Sequence, residues 1–309
     1  MEMTSNKTLT LLACLGFGLC LSGQAHAQTV ISACSTPRAD IAYVEARAKE
    51  NDTDAILRLA ILHKEGLCFP ANKVKAVGLM KRAANAGSAD ALYELAQIYR
   101  MRTGDIKRDA ENSKKVQNLY FQAANAGHKR AQYDLGEFYA YGKIGLKRDP
   151  AQVLHWFKKA AAGGDMRAAR RMAQLYTTGI EGMQKNLISA EQWLRGAAQT
   201  GDTFAVKELA DFLLAQNKQK HMQEIIRLYE GLANRGIHSI GVNLGDLYSS
   251  MDQGPMAYFW YKLAESYGED TSKKTKRLEW SLPKDAIRQA KKKIQTFRQK
   301  HPPFNRFYK

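Results

Sequence analysis

Hydrophobic residues recur with a helical period along most of this chain. Within each segment, the apolar side chains lie four, four and then three or four residues apart, which keeps them on one face of an α-helix. Segments of this kind begin near residue 37 and end near residue 268. The pattern therefore predicts a chain built from helices, without strands.

A short phrase that ends in glycine marks the end of every second predicted helix. Its clearest copy covers residues Lys81 to Gly87, and Asn51 fills the place of the glycine one repeat earlier. Further copies end at Gly127, Gly164, Gly201, Gly236 and Gly268. These anchor residues, counted from Asn51, are 36, 40, 37, 37, 35 and 32 residues apart, a spacing typical of stacked helical hairpins.

Fixed offsets from the anchor residues define two helices in each repeat. Helix A follows the anchor, with Leu or Met eight residues after it and Ala or Gly at the next position. Helix B ends at the next anchor, where glycine favours a left-handed C-cap. Good N-cap residues stand fifteen positions before the anchors, at Thr36, Asn72, Asn112, Asp149 and Asn186. We expect a lone B-type helix from Pro37 to about Glu50, followed by six A–B hairpins.

The repeat resembles the Sel1-like repeat family, a relative of the tetratricopeptide repeats. The resemblance rests on phrases such as Ala131–Gly136 followed by Tyr139, and Trp156–Ala161, and it covers roughly residues 36 to 268. It implies an all-α fold, a right-handed α-solenoid of helix-turn-helix repeats, in which the A helices line a concave surface. It also implies a function in scaffolding, envelope regulation or the assembly of envelope machinery.

The repeat pattern stops after Gly268. Residues 270–277 are polar and charged, and Pro283 can begin a final helix that runs to about Lys300 and covers the last repeat. The predicted organisation is a signal peptide over 1–27, a solenoid over 28–268, and a basic C-terminal capping helix and tail over 269–309.

The first residues have the features of a secretory signal peptide. Lys7 precedes an apolar run from Leu9 to Leu21, and Ala25 and Ala27 offer the small residues that a cleavage site before Gln28 needs. The run is too short for a comfortable membrane span, and no other stretch of the sequence approaches that length. We expect a periplasmic or secreted protein, without lipid attachment at Cys14.

Export changes how the four cysteines are interpreted. Two leave with the signal peptide, so the mature chain keeps Cys34 and Cys68. An even pair in an exported protein suggests one disulfide. The alternative is two unrelated buried thiols.

The chain is strongly basic, with a formal net charge of +17. Residues 271–309 hold thirteen Lys and Arg against two acidic residues. Nucleic acid is a poor partner for an exported protein, so anionic envelope polymers, lipid head groups or acidic proteins fit better. A run such as Lys291–Lys293 can equally be a solvated helix face.

The sequence shows no catalytic or metal-binding constellation. It lacks a Gly-rich phosphate loop, a His-Glu-x-x-His motif and a Gly-x-Ser-x-Gly motif. The histidines are scattered, and His63 occupies a repeat position that carries tyrosine in most other repeats, which favours packing. We expect no enzyme activity, cofactor or metal.

The A helices provide the predicted binding surface. In the family geometry, positions three, six, ten and thirteen residues after each anchor face the groove, and Phe204 is among them. The residues chosen as partner-binding are Tyr93, Gln97, Arg100, Arg130, Tyr133, Arg167, Arg170 and Lys207. Arg and Tyr are frequent at binding hot spots, although each of these side chains could simply be solvated.

The preferred function is a periplasmic adaptor that binds an acidic segment of an envelope protein. The alternative is binding of an anionic glycan or cell-wall polymer.

Overall fold

The computed structural model describes residues 39–100 and 106–301, and these residues are mainly helical. The α-helices are α1 Ala39–Lys49, α2 Thr53–Glu65, α3 Lys73–Asn85, α4 Ala89–Arg100, α5 Ile106–Asn125, α6 Lys129–Tyr141, α7 Pro150–Ala162, α8 Met166–Thr178, α9 Leu187–Gln199, α10 Thr203–Asn234, α11 Gly241–Ser250, α12 Gly254–Glu265, α13 Ser272–Ser281 and α14 Lys284–Lys300. The described residues form no strand, apart from an isolated bridge between Ile180 and Met183. The predicted all-α class is confirmed.

The helices belong to two compact units, Met1–Ala131 and Gln132–Lys309, which divide within α6. In the first unit, α1 precedes the hairpins α2–α3 and α4–α5. In the second, the rest of α6 pairs with α7 and is followed by hairpins α8–α9, the two halves of α10, and α11–α12. Apolar faces of neighbouring helices form the core of each unit.

The anchor residues take the backbone conformation that the sequence predicts. Gly87 has a φ of 91°, Gly268 has a φ of 99°, and the four other anchor glycines also have positive φ. Asn51, the one anchor without glycine, has a φ of 65°, a conformation that asparagine tolerates better than most residues. Each B helix therefore stops where helical geometry reverses.

Three of the predicted N-caps are confirmed and one is wrong. The side chains of Asn72, Asp149 and Asn186 accept hydrogen bonds from backbone N–H groups in the first turns of α3, α7 and α9. Asn112 instead lies inside α5, because that helix already begins at Ile106; the residues before Asn112 are mostly good helix formers. Thr36 lies outside the described residues.

The fifth hairpin has almost no loop between its two helices. Asn217 has φ −158° and ψ 94°, a single non-helical residue that divides α10 into an A half and a B half. Its side chain accepts a hydrogen bond of 2.9 Å from the N–H of Lys220 and so caps the B half. One residue thus makes the turn that other repeats make with a longer segment.

Two helices follow the last hairpin. The predicted final helix is present as α14, and its buried residues Ala290 and Ile294 belong to the same core as α12. The segment that was expected to be only polar and charged forms α13. The hydroxyl of Thr271, just before α13, donates a 2.8 Å hydrogen bond to the carbonyl of Tyr261, and Leu278 packs on the core. Tertiary contacts therefore hold a helix that lacks an apolar period of its own.

Candidate protein-binding face

A string of aromatic and arginine side chains crosses three successive A helices of the second unit. The guanidinium of Arg167 on α8 lies 4.8 Å from the ring centre of Tyr133 on α6. The guanidinium of Arg170, one turn further along α8, lies 5.2 Å from the ring centre of Phe204 on α10. We call Tyr133, Arg167, Arg170 and Phe204 the A-face cluster. It brings together three of the residues predicted from the sequence.

Phe204 is the most exposed aromatic side chain of the A-face cluster, at 66%. It lies three residues after the anchor Gly201, one of the predicted groove positions, yet it was not among the residues chosen as partner-binding. The sequence feature that could have identified Phe204 is an aromatic residue at a repeat position that has no packing role. An exposed phenylalanine beside an arginine is a feature of binding surfaces.

The predicted cationic surface is mostly neutralised, which corrects the expectation of free positive charges. Arg170 forms a two-bond ion pair with Glu208, through Nε at 2.9 Å and Nη2 at 2.5 Å. Arg167 binds the buried Asp165, with Nε 2.8 Å from Oδ1. Lys207 Nζ lies 2.6 Å from Asp211. Asp165 caps α8 and Glu208 lies at a neighbouring position, neither of which the predicted offsets include, whereas Asp211 stands at the predicted offset of ten residues.

The ion pairs also fix the protonation states of the cluster. The hydrogen bond that Arg167 donates to Asp165 raises the pKa of Arg167, and the hydrogen bond that Arg170 donates to Glu208 raises the pKa of Arg170. Burial raises the pKa of Tyr133. The cluster therefore presents charged guanidinium groups and a protonated phenol.

Arg171 was missed by the sequence analysis. Its Nε donates a 2.7 Å hydrogen bond to Glu137, its guanidinium lies over the ring of Tyr141, and it also contacts the hydroxyl of Tyr141. The residue lies seven positions after its anchor, outside the predicted offsets, and it links α8 to α6. It serves mainly to join neighbouring A helices.

Polar residues ten positions after the anchor join the two helices of a hairpin. Asp211 accepts a 2.5 Å hydrogen bond from the hydroxyl of Tyr229 on the B half of α10, and Gln97 donates a 2.8 Å bond to the hydroxyl of Tyr120 on α5. Burial, followed by the hydrogen bond to Asp211, raises the pKa of Tyr229, so its phenol remains a donor. Gln97 therefore helps to join the two helices of its hairpin, and its binding role stays a prediction.

The remaining predicted residues of the first unit differ in exposure. Tyr93 is only 7% exposed; its ring stacks on His128 at 4.3 Å and meets Tyr120 edge-on. It is a packing residue, which corrects its predicted role as flat contact area. Arg100 and Arg130 are exposed, and Arg100 donates a hydrogen bond to Gln97.

The predicted cysteine pair is only half within the described residues. Cys34 lies outside them. Cys68 is exposed in the turn after α2, and its side chain takes part in an interaction. The pairing of the two stays a prediction.

The second unit also contains an open cavity of about 570 Å³ on its B-helix side. Leu154 of α7, Met166 and Ala169 of α8 and Trp193 of α9 form much of its apolar wall. None of the residues that line it is acidic or a histidine. The lining residues that can exchange a proton are Lys158 and Tyr176.

Two further searches cover the described part of the chain. No group of three or more His, Cys, Asp or Glu there is placed to hold a metal ion. Among residues 39–100 and 106–301, no helix combines the length and apolar character that crossing a membrane requires.

The repeats match a known family model. The Sel1 repeat model matches four times, at residues 53–88, 89–128, 129–165 and 167–202. The chain is a Sel1 repeat protein. The four matches coincide with the hairpins α2–α3, α4–α5, α6–α7 and α8–α9. Sel1 repeat proteins are generally scaffolds for protein–protein interaction and are typically not catalytic.

Solved structures show the same solenoid fold. A Sel1 repeat protein from Oxalobacter formigenes is 23% identical, with a TM-score of 0.57 over 79% of this chain and 98% of that one. The protective antigen c5321 of uropathogenic Escherichia coli is 18% identical, with a TM-score of 0.50 over 85% of this chain. This chain spans 64% of the length of c5321. No curated protein matches by sequence. The likeness confirms the predicted α-solenoid.

Proposed function

We propose that this Sel1 repeat protein is a periplasmic adaptor, without catalytic activity, whose A-face cluster binds a segment of another protein. The observation that carries the proposal is the aromatic–arginine string on three successive A helices, with Phe204 largely exposed. The aromatic rings supply flat contact area at little entropic cost, the arginines supply directional hydrogen bonds, and both kinds of residue are enriched at interfaces.

The ion pairs define what the partner segment should offer. Arg167 and Arg170 each use Nε and Nη2 on an acid, and neither Nη1 makes a hydrogen bond within the described residues. A carboxylate or carbonyl of the partner can accept from these outward donors, since a guanidinium carries five N–H groups. An apolar side chain of the same segment would cover Phe204. The partner segment is therefore acidic or polar, with an apolar residue close by.

The experiment is site-specific photocrosslinking in cells, with the crosslinking amino acid at position 204 or at position 188. Ile188 on α9 is 73% exposed and serves as the matched control on a B helix. We expect a discrete adduct from position 204 and none from position 188.

The partner identified in this way is then tested as a purified protein. Phe204→Ala and Arg170→Ala should weaken its binding, whereas Ile188→Ala should not. Equal adducts from both positions, or unchanged binding by Phe204→Ala, would remove the A face as the site.

We also propose that the protein is exported and that Cys34 and Cys68 form a disulfide. The signal-like N-terminus and the engaged state of Cys68 support this. A bridge closing this loop would stabilise the chain by roughly 3–4 kcal/mol in the chain-entropy model. Protein isolated from the periplasm should react with maleimide only after reduction. Two reactive thiols before reduction would contradict the proposal.

The alternative function, binding of an anionic glycan, has no support on the A face, because most of its predicted cations already pair with acids. Among the described residues, basic side chains without such partners are concentrated on the C-terminal helices α13 and α14.

A further inference from the structure

Helix α13 presents a basic stripe that ends in an exposed tryptophan. Lys273, Lys276, Arg277 and Trp280 stand at positions i, i+3, i+4 and i+7, so they share one face of the helix. All four are exposed, and Trp280 is 94% exposed. Thr275, on the opposite side, is buried against the last repeat.

The exposure of Trp280 distinguishes it from the other tryptophans. Trp156 and Trp260 are buried, and Trp193 packs against the apolar core. Each of these occupies the repeat position eight residues before an anchor, where it supports the stack. Trp280 lies outside the repeats and its indole contributes little to packing. The fold thus gives no reason for an indole at this position.

The cations of the stripe also differ from those of the A face. Lys273, Lys276 and Arg277 form no ion pair with a carboxylate of the described residues, whereas the next lysine, Lys274, binds Asp246 at 2.5 Å. The outward face of α14 adds Lys284, Lys291, Lys292 and Lys293, all exposed. The C-terminal helices therefore carry a concentrated positive charge that the described residues do not neutralise.

We propose that α13 docks this protein on the surface of an anionic phospholipid membrane. Lys273, Lys276 and Arg277 would contact head-group phosphates, and the indole of Trp280 would enter the interfacial region, where tryptophan is favoured. The lysines of α14 would add longer-range attraction to the negative surface. Docking of this kind is peripheral and reversible, because it uses one aromatic anchor and a few charges.

A soluble polyanion is the competing occupant, and the geometry of Trp280 argues against it. Rings that bind sugars usually lie in a concave site with fixed polar groups around them. Trp280 instead projects from a convex helix surface and is almost fully exposed. A polyanion would need only the charges and would leave the indole without a role.

The test is sedimentation of the full protein with vesicles of phosphatidylcholine alone or mixed with phosphatidylglycerol. We expect binding only to the mixed vesicles, with a strong decrease at high salt. Trp280→Ala should weaken that binding several-fold, while Tyr43→Ala, which removes another exposed aromatic ring, should leave it unchanged. The triple variant Lys273→Ser/Lys276→Ser/Arg277→Ser should lose binding. Its charge-matched control, Lys81→Ser/Lys114→Ser/Lys158→Ser, should retain most of it.

Fluorescence gives a second, independent measurement. Aqueous iodide should quench Trp280 more than the buried tryptophans, and mixed vesicles should protect it from quenching. That protection should be absent in Trp280→Phe. The proposal is overturned if mixed vesicles do not bind, or if Trp280→Ala binds them as tightly as the natural chain. Binding to dextran sulfate that exceeds binding to vesicles, with no effect of Trp280→Ala, would show a polyanion site instead and also overturn it.

Discussion

At the scale of single residues, His63 shows how a repeat position determines the role of its side chain. It stands in the tyrosine position of the second helix, is 4% exposed and stacks on Phe69 at 4.5 Å. This confirms the packing role expected from the sequence. Neither ring nitrogen has a hydrogen-bond partner within the described residues. Burial lowers the pKa of His63, nearby Lys75 lowers it further, and Glu45 acts in the opposite direction.

The lowered pKa of His63 predicts a loss of stability in mild acid. In the unfolded chain a histidine takes up a proton near pH 6.5, but the folded protein holds this ring neutral. Between that value and the lower folded pKa, the unfolded state binds more protons, so the free energy of unfolding falls as the pH falls. Above about pH 6.5 this contribution is constant.

Urea unfolding at about pH 7.5 and at about pH 5.5 measures the effect. His63→Phe keeps a ring in the site and should remove part of the pH dependence, whereas His155→Gln, at an exposed histidine, should not. An identical pH dependence in His63→Phe and the natural chain would show that His63 is protonated equally in both states.

At the scale of elements, the close approach of the two helices in a hairpin depends on small residues of helix A. Gly136 on α6 faces Phe157 on α7, and a Cβ atom added to it would lie 2.7 Å from that ring. Gly245 on α11 occupies the same repeat position and faces the ring of Tyr261 on α12. Both glycines stand at the repeat position, nine residues after the anchor, that carries Ala or Gly in every helix A.

Gly136→Ala should therefore destabilise the protein, against the usual trend for helices. Alanine normally stabilises a helix by about 0.5–1 kcal/mol relative to glycine. Here the added methyl group must displace the ring of Phe157, and overpacking typically costs about 1–3 kcal/mol. The midpoint of urea unfolding gives the sign.

The matched control is Gly196→Ala on α9, where an added Cβ meets no atom within 4 Å. That variant should gain stability. If both variants are stabilised to the same extent, the α6–α7 contact has room for a methyl group and the packing argument fails.

At the scale of the whole molecule, a solenoid needs its last repeat covered. Each repeat contacts mainly its neighbours, so an end repeat would expose one side of its apolar core. In the second unit α14 covers that side: Phe297 packs edge-on against Trp260 at 5.7 Å and against Phe259 at 6.0 Å. This capping helix was predicted from the sequence.

Phe297→Ala should lower stability locally. Full truncation of a buried phenylalanine costs about 3–5 kcal/mol, and we expect about 2–3 kcal/mol for this partly buried ring. Hydrogen exchange should accelerate in α11, α12 and α14 and remain unchanged in α7 and α8, because coupling passes only between neighbours. Phe204→Ala, at an exposed phenylalanine, should leave exchange unchanged in α11 and α12. An acceleration that is uniform across α7 to α14 would mean that this unit unfolds as one cooperative block.

The sequence by itself determined the helices of the repeats, their pairing into hairpins and the family. Helical periodicity and the preference for glycine at a left-handed C-cap are local properties, so each repeat shows them independently. Agreement between the repeats then strengthens the prediction for each of them. The same reasoning placed Arg167, Arg170 and Tyr133 correctly on neighbouring A helices, because a fixed offset in successive repeats leads to one side of the stack.

Only the tertiary structure decided which of those side chains are free to bind. Arg170 meets Glu208, 38 residues away, and Arg171 meets Glu137, 34 residues away, so each ion pair joins residues about one repeat apart. Tyr93 is buried by His128 and Tyr120, and α13 forms because Thr271 and Leu278 contact the last hairpin. A helical period specifies the face on which a side chain lies, whereas an ion pair or a stacked ring depends on a few ångströms between two helices. That separation is set by the packing of both helices together.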